Sequence, residues 1–102
     1  MTGPVRHPAW CDPSRCDVTA EQPAGTHCSR PVVLGPHPPS TLTAEVSLAQ
    51  SPEVAGYPWS GRPYVALALS DADGELCLVP LVVELARGLG RVLIGFSRGA
   101  DR

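Results

Sequence analysis

The first 28 residues hold three of the four cysteines and two of the three histidines in the chain. Thiolate sulfur and imidazole nitrogen are the ligands that zinc prefers, and four of them arranged in a tetrahedron make a closed structural site. Three residues separate His7 from Cys11, and four separate Cys11 from Cys16. Ten residues then lead to His27, which is followed directly by Cys28. These gaps fit two ligand pairs that are joined by a loop.

The ligand set has one open choice. Cys11 and Cys16 form the firm pair, and His27 is the expected third ligand. Since adjacent side chains rarely point the same way, His7 is favoured as the fourth, with Cys28 as a substitute for either histidine. Neither pair has the two-residue spacing most diagnostic of zinc. Two alternatives to a zinc site therefore remain: a loop that binds no metal, and an iron–sulfur or thiol redox site.

Length and composition limit what the chain can be. A chain of 102 residues predicts one domain, with roughly seventy residues for a core, and a core of that size often needs a staple such as a metal. The net charge is −2, which argues against binding to phosphate backbones. All eight basic residues are arginines, a composition typical of GC-rich genomes such as those of actinobacteria.

The N-terminus has no apolar signal segment, and no apolar run is long enough for a membrane span. We therefore expect a cytoplasmic protein without a membrane association. In a reducing compartment, clustered cysteines serve more often as metal ligands or redox groups than as structural disulfides.

Hydrophobic periodicity divides the chain into an N-terminal segment and a folded body. Residues 1–30 show neither a period of 2 nor one of 3.6, and their prolines break regular elements. We call residues 1–30 the clip and expect it to be irregular and held by something other than a backbone ladder. Alternating apolar residues, a short apolar run and the turn residues Asp71–Gly74 then predict four strands: Pro31–Gly35, Thr41–Gln50, Tyr64–Ser70 and Glu75–Val79.

From Pro80 the period becomes helical, because apolar residues recur every three or four positions and charged residues gather on the opposite side. Close packing of this helix on the sheet would explain Gly88. We predict an α+β fold, in which a small antiparallel sheet of three to four strands is covered by one C-terminal helix. Residues 1–30 form the irregular metal-binding clip of this single domain, residues 31–97 the strands and helix, and residues 98–102 a tail.

Two further features carry weaker expectations. Cys77 lies in the middle of a predicted strand, where a buried and inert cysteine is expected. Tyr57, Trp59 and Arg62 share one loop, where they would either cover the edge of the core or form a contact patch for a partner.

The chain combines the run His7-Pro8-Ala9-Trp10-Cys11, a later histidine, and predicted strands followed by a helix that contains Leu and Ala. In these features it resembles the DUF6907 family of small uncharacterised actinobacterial proteins. Those proteins open with a Cys-Pro-x-Trp-Cys type motif, followed by further His or Cys residues and a strand-rich body. The resemblance covers most of the chain. His7 stands where the family tends to have its first cysteine, and Cys16 where a histidine is common, so ligand capacity is preserved. The family has no established activity, and the resemblance therefore implies no function.

Three function classes remain. The leading hypothesis is a non-enzymatic, zinc-stabilised interaction module with an unknown protein partner. The second is a small metal- or thiol-dependent redox protein or metalloenzyme, in which one of His7, His27 or Cys28 is not a ligand. The third is a regulatory protein associated with nucleic acid. The sequence shows neither a helix-turn-helix pattern nor a basic stripe, and both observations argue against this class. The sequence leaves the oligomeric state open.

Overall fold

A computed structural model describes residues 6–19, 21, 25–52 and 61–101 of the chain. Five strands are followed by one helix. The strands are β1 (His27–Cys28), β2 (Val32–Leu34), β3 (Thr43–Gln50), β4 (Tyr64–Asp71) and β5 (Gly74–Val82), and the helix is α1 (Val83–Ala100).

The strands form one antiparallel sheet in the order β1-β3-β4-β5. β2 shares the outer side of β3 with β1, so that β1 pairs with the end of β3 and β2 with its beginning. The α+β class, the antiparallel sheet and the single C-terminal helix are confirmed. The sheet has five strands rather than three to four, because His27 and Cys28 of the clip add a short strand that the sequence pattern is too brief to reveal.

The β4–β5 hairpin closes with the chemistry that its sequence predicts. The turn needs a glycine, since Gly74 adopts a φ of 127°, a conformation that other residues rarely adopt. The amide of Asp73 donates a hydrogen bond of 2.8 Å to the side-chain carboxylate of Asp71. Such a local bond is a usual device of tight turns.

The boundary between β5 and α1 differs from the expectation. The strand continues through Pro80 to Val82, and the helix begins at Val83 instead of Pro80. Pro80 is tolerated because β5 is an edge strand, where a missing N–H need not break the ladder. The helix runs to Ala100 and thus includes three of the residues that were assigned to the tail.

The helix does not cover the sheet within its own chain. No residue of α1 is buried, and a Cβ at Gly88 would meet nothing within 4 Å, contrary to the expected close packing on the sheet. The longest dimension of the molecule is 60 Å, close to the sum of a nine-residue strand, about 30 Å, and an 18-residue helix, about 27 Å. The helix therefore extends beyond the sheet. Among the described residues, Ala49 is the only buried apolar side chain.

Candidate metal centre

Two tight turns shape the first half of the clip. The amide of Cys11 donates to the carbonyl of Pro8 at 2.9 Å, and the amide of Arg15 donates to the carbonyl of Asp12 at 2.9 Å. The Asp12 carboxylate accepts hydrogen bonds from the amide and hydroxyl of Ser14, at 3.0 and 2.8 Å. These bonds hold the pKa of the Asp12 carboxyl below its usual range, with the Ser14 hydroxyl as the largest cause. The turns bring Cys11 and Cys16 to the same side of the loop.

Backbone pairing joins this loop to the end of the clip. Cys11 forms an isolated antiparallel bridge with Ser29, and the amide of Asp12 donates to the carbonyl of Cys28 at 2.8 Å. Further along, the amide of Asp17 donates to the carbonyl of Thr26 at 3.1 Å. The clip is therefore held in part by a backbone ladder, contrary to the expectation from its sequence.

Gly25 lies where the two halves of the clip come closest. It is buried, and a Cβ at this position would overlap the carbonyl of Asp17 and lie 2.9 Å from the amide nitrogen of Val18. Both are backbone atoms, which cannot move aside as the end of a flexible side chain can. Glycine is therefore required for the approach that positions His27 beside Cys16.

Ser29 attaches the clip to the sheet. Its amide donates to the carbonyl of Leu48 at 2.8 Å, while the Leu48 amide donates to the Ser29 hydroxyl at 2.8 Å. The hydroxyl in turn donates to the carbonyl of Arg30 at 3.1 Å. The side chain of Ser29 thus replaces a backbone acceptor between β1 and β2, where the ladder with β3 is interrupted.

Four side chains of the clip converge at one point. The donor atoms of His7, Cys11, Cys16 and His27 all lie within 4.8 Å of one another, so the group could hold a metal ion. His7 Nδ1 lies 3.5 Å from Cys11 Sγ and 3.6 Å from Cys16 Sγ. His27 Nδ1 lies 3.6 Å from Cys11 Sγ and 3.4 Å from Cys16 Sγ. Each histidine nitrogen therefore sits beside both sulfurs.

These separations match the edges of a zinc tetrahedron. With Zn–S of about 2.3 Å and Zn–N of about 2.0 Å, tetrahedral angles place sulfur and nitrogen about 3.5 Å apart. The four measured distances run from 3.4 to 3.6 Å. The two imidazole rings stand almost perpendicular, at 86°, with their centroids 5.1 Å apart. The rings therefore approach the centre from different directions, as ligands of one ion must.

The surroundings of the cluster favour the neutral imidazole of His27 and the protonated thiol of Cys11. Burial raises the pKa of the Cys11 thiol, and the adjacent side chain of Cys16 raises it further. Burial also lowers the pKa of His27, to which the charge of His7 contributes. The amide of Val18 donates to Cys16 Sγ at 3.3 Å. A neutral imidazole offers the lone pair that a metal needs, and the Val18 amide would stabilise a coordinated sulfur.

The other two cysteines lie apart from this group. Cys28 is not a member of the four-residue cluster, and its alternation with His27 along β1 turns the two side chains to opposite faces. Burial raises the pKa of the Cys28 thiol, and the negative charge of Asp17 raises it further. Cys77 is exposed, contrary to the expectation that it is buried. The reason is that β5 is an edge strand, over which no layer is formed by the described residues.

The remaining candidates have other roles or lie outside the described residues. Tyr57 and Trp59 of the expected contact patch lie outside the described residues, and Arg62 is exposed. The contributions of Gly25, Ser29 and the Val18 amide were missed from the sequence. The presence of Gly25 between two candidate ligands, Cys16 and His27, is the one sequence signal that could have been noticed.

No family model, curated protein or solved structure matches this chain. Within the described parts of the chain, no helix combines the length and the apolar character needed to cross a bilayer.

Proposed function

We propose that this chain is a small zinc-stabilised interaction module, in which His7, Cys11, Cys16 and His27 bind one structural zinc ion. The observation that carries the proposal is the set of four sulfur–nitrogen distances, each of which matches an edge of a zinc tetrahedron. Two thiolates and two imidazoles form a Cys2His2 donor set, a common set in structural zinc sites. Cys28, which lies apart from the cluster, is not assigned as a ligand.

A structural role follows from the closed donor set. Catalytic zinc sites keep a coordination position open for water or substrate. Here the protein supplies all four ligands, and of the two carboxylates that directly follow a ligand, Asp12 and Asp17, that of Asp12 is already engaged by Ser14. The ion would join the two halves of a clip that otherwise depends on a few backbone hydrogen bonds. Its binding energy would then contribute directly to folding.

The redox alternative finds less support. Reactive cysteines have a lowered pKa, produced by nearby positive charges or helix N-termini. The pKa of Cys11 and that of Cys28 are both raised. A nucleic-acid role would need a basic surface, whereas the chain carries a net charge of −2. We also propose membership in the DUF6907 family, on the motif from His7 to Cys11. The family has no established activity, so membership implies none for this chain.

Metal analysis of single variants tests the proposal. The full chain is purified under reducing conditions in the presence of zinc, and bound metal is measured by mass spectrometry. We expect one equivalent of zinc per chain. Replacing any of the four ligands by alanine should weaken zinc binding at least 100-fold, because a three-ligand site loses one protein–metal bond.

Cys28→Ala is the matched control for His27→Ala, since the two residues are neighbours in the same strand. The control should keep one equivalent of zinc and wild-type affinity. If Cys28→Ala loses the metal while His7→Ala keeps it, the assigned ligand set is wrong. Absence of zinc from the wild-type chain, with all thiols titratable, would overturn the proposal as a whole.

A further inference from the structure

One face of the sheet is apolar and only partly covered. Direct cross-strand partners point to the same face, and the register shows two rows across β3, β4 and β5. The rows are Val46-Leu67-Val79 and Leu48-Val65-Leu81, and we call these six residues the apolar face. Val79 is exposed, and the other five are half-buried.

The helix carries a matching stripe that lacks a partner. Leu85, Leu89, Val92 and Phe96 recur at intervals of three or four residues and lie on one side of α1. All four are exposed, and Phe96 retains 76% of its accessible surface. An amphipathic helix is usually stabilised by burying this side against another element. None of the residues that the structure describes covers it.

A single chain cannot bring the two surfaces together. β5 ends at Val82 and α1 begins at Val83, so no loop is available for the helix to turn back over the sheet. Each chain therefore presents both halves of a helix-on-sheet contact that it leaves open. The two halves are complementary in length, because the helix spans about 27 Å and the strands span about 26–30 Å.

We propose that a second copy of this chain completes the contact. The helix of each protomer lies on the apolar face of the other, and a two-fold axis relates the two contacts. The helix of one copy would occupy the position that the sequence pattern assigns to the chain's own helix.

The surface area of the chain supports this occupant. The accessible surface is 7791 Å², whereas a compact monomer of this mass exposes about 5,500 Å². The surplus of about 2,300 Å² exceeds the roughly 800 Å² per partner that a standard interface buries. The chain therefore exposes more surface than a compact monomer of its mass, and the surplus is large enough for a pair of helix-on-sheet contacts.

Pairing of the β5 edges of two copies would be a different dimer. Pro80 lies within that edge, two residues before its end, and has no N–H to donate to a neighbouring strand. The edge is therefore poorly suited to extend the sheet into a second copy. Edge pairing and a helix–helix pair are the arrangements that the experiment must separate from the proposed dimer.

Sedimentation equilibrium of the zinc-loaded full chain tests the proposal, and we expect twice the chain mass of 10.7 kDa. Phe96→Glu on the helix and Val79→Glu on the apolar face should each weaken dimerisation about 100-fold or more, as loss of a buried hot spot does. Two matched controls should remain dimeric. Ile94→Glu changes a residue 53% exposed on the opposite side of the helix, and Leu78→Glu one 64% exposed on the opposite face of β5.

Mixing the two weakened variants distinguishes reciprocal docking from other dimers. A heterodimer of Phe96→Glu and Val79→Glu contains one contact in which both the helix and the face are intact. Dimer should therefore reappear in the mixture, as expected only for exchange of the helix between chains. If circular dichroism shows that a charged variant is unfolded, Phe96→Ser and Val79→Ser replace the pair.

A monomeric wild-type chain overturns the proposal. So does a dimer that Phe96→Glu leaves unchanged, which would indicate edge pairing. Failure of the mixture to restore dimer also overturns it and would indicate a helix–helix pair. One equivalent of zinc is expected in every variant, so these outcomes can be separated from failure of the metal site.

Discussion

The Sγ atom of Cys16 lies 3.4 Å from Nδ1 of His27, eleven positions further along the chain. This approach depends on the contact of Gly25 with the Asp17 backbone and on the pairing of β1 with β3. The two atoms thus come from opposite halves of the clip. A metal bound between them would cross-link the two halves of the clip through coordinate bonds, and its removal should destabilise the whole clip.

Removal of zinc should lower the stability of the folded protein. At free zinc 100 times the dissociation constant, binding contributes about 2.7 kcal/mol, so a chelator should lower the Tm by roughly 10 °C or more. Thermal unfolding followed by circular dichroism measures this shift. The variant Cys11→Ala is the control, and its Tm should not respond to the chelator. Equal Tm values for the wild type with and without chelator would contradict a structural metal.

Gly25→Ala should destabilise the clip by about 1–3 kcal/mol, the usual cost of forcing extra volume into a closely packed position. The added Cβ would overlap the carbonyl of Asp17, and zinc affinity should fall together with stability. Gly90→Ala is the control, because a Cβ there meets nothing within 4 Å. The control should be stabilised by up to about 1 kcal/mol through helix propensity. Denaturant unfolding of both variants gives the comparison, and a neutral Gly25→Ala would show that the two halves of the clip do not meet as described.

Ser29→Ala should cost about 1–3 kcal/mol, because the Leu48 amide loses its acceptor in a partly buried position. Amide hydrogen exchange at Leu48 should become faster in the same variant. Ser97→Ala removes the hydroxyl of an exposed helical serine that donates to the carbonyl of Ile94. Its effect should stay within about 0.5 kcal/mol. If exchange at Leu48 is unchanged in Ser29→Ala, the hydroxyl does not act as the acceptor.

The four thiols should differ in their rates of alkylation. In the monomeric variant Phe96→Glu, Cys77 is exposed and should react with iodoacetamide first, and Cys28 should react slowly because burial raises its pKa. Cys11 and Cys16 should resist the reagent while zinc is bound and become reactive after chelation. Mass spectrometry of the alkylated peptides records the order. Alkylation of Cys11 as fast as that of Cys77 in the zinc-loaded protein would argue against coordination of its sulfur.

Local patterns predicted most of the elements. The alternation in β3 and the turn residues before Gly74 led to the right strands, with boundaries that differ by a few residues. The start of the helix was placed three residues too early, because Pro80 suits both the first turn of a helix and an edge strand. The presence of a proline cannot decide between the two structures, because an edge strand is recognised only once its neighbours in the sheet are known.

Long-range features escaped the sequence for a different reason. β1 has two residues, too few for any period, and it exists because the clip folds back onto β3. The convergence of His7 with His27 likewise depends on the pairing of Cys11 with Ser29. The spacing of residues along the sequence does not predict this pairing. The sequence correctly indicated that the helix and the sheet each have an apolar side. The helix does not cover the sheet within one chain, because β5 leads directly into α1 without a loop.

X-ray absorption spectroscopy at the zinc edge tests the central claim most directly, because it counts the sulfur and nitrogen neighbours of the bound ion. The proposed site predicts two sulfur atoms at about 2.3 Å and two imidazole nitrogens at about 2.0 Å. The spectrum should be unchanged in Cys28→Ala. A shell of three sulfurs and one nitrogen would mean that Cys28 replaces a histidine, and a shell of oxygen or nitrogen alone would contradict the site altogether.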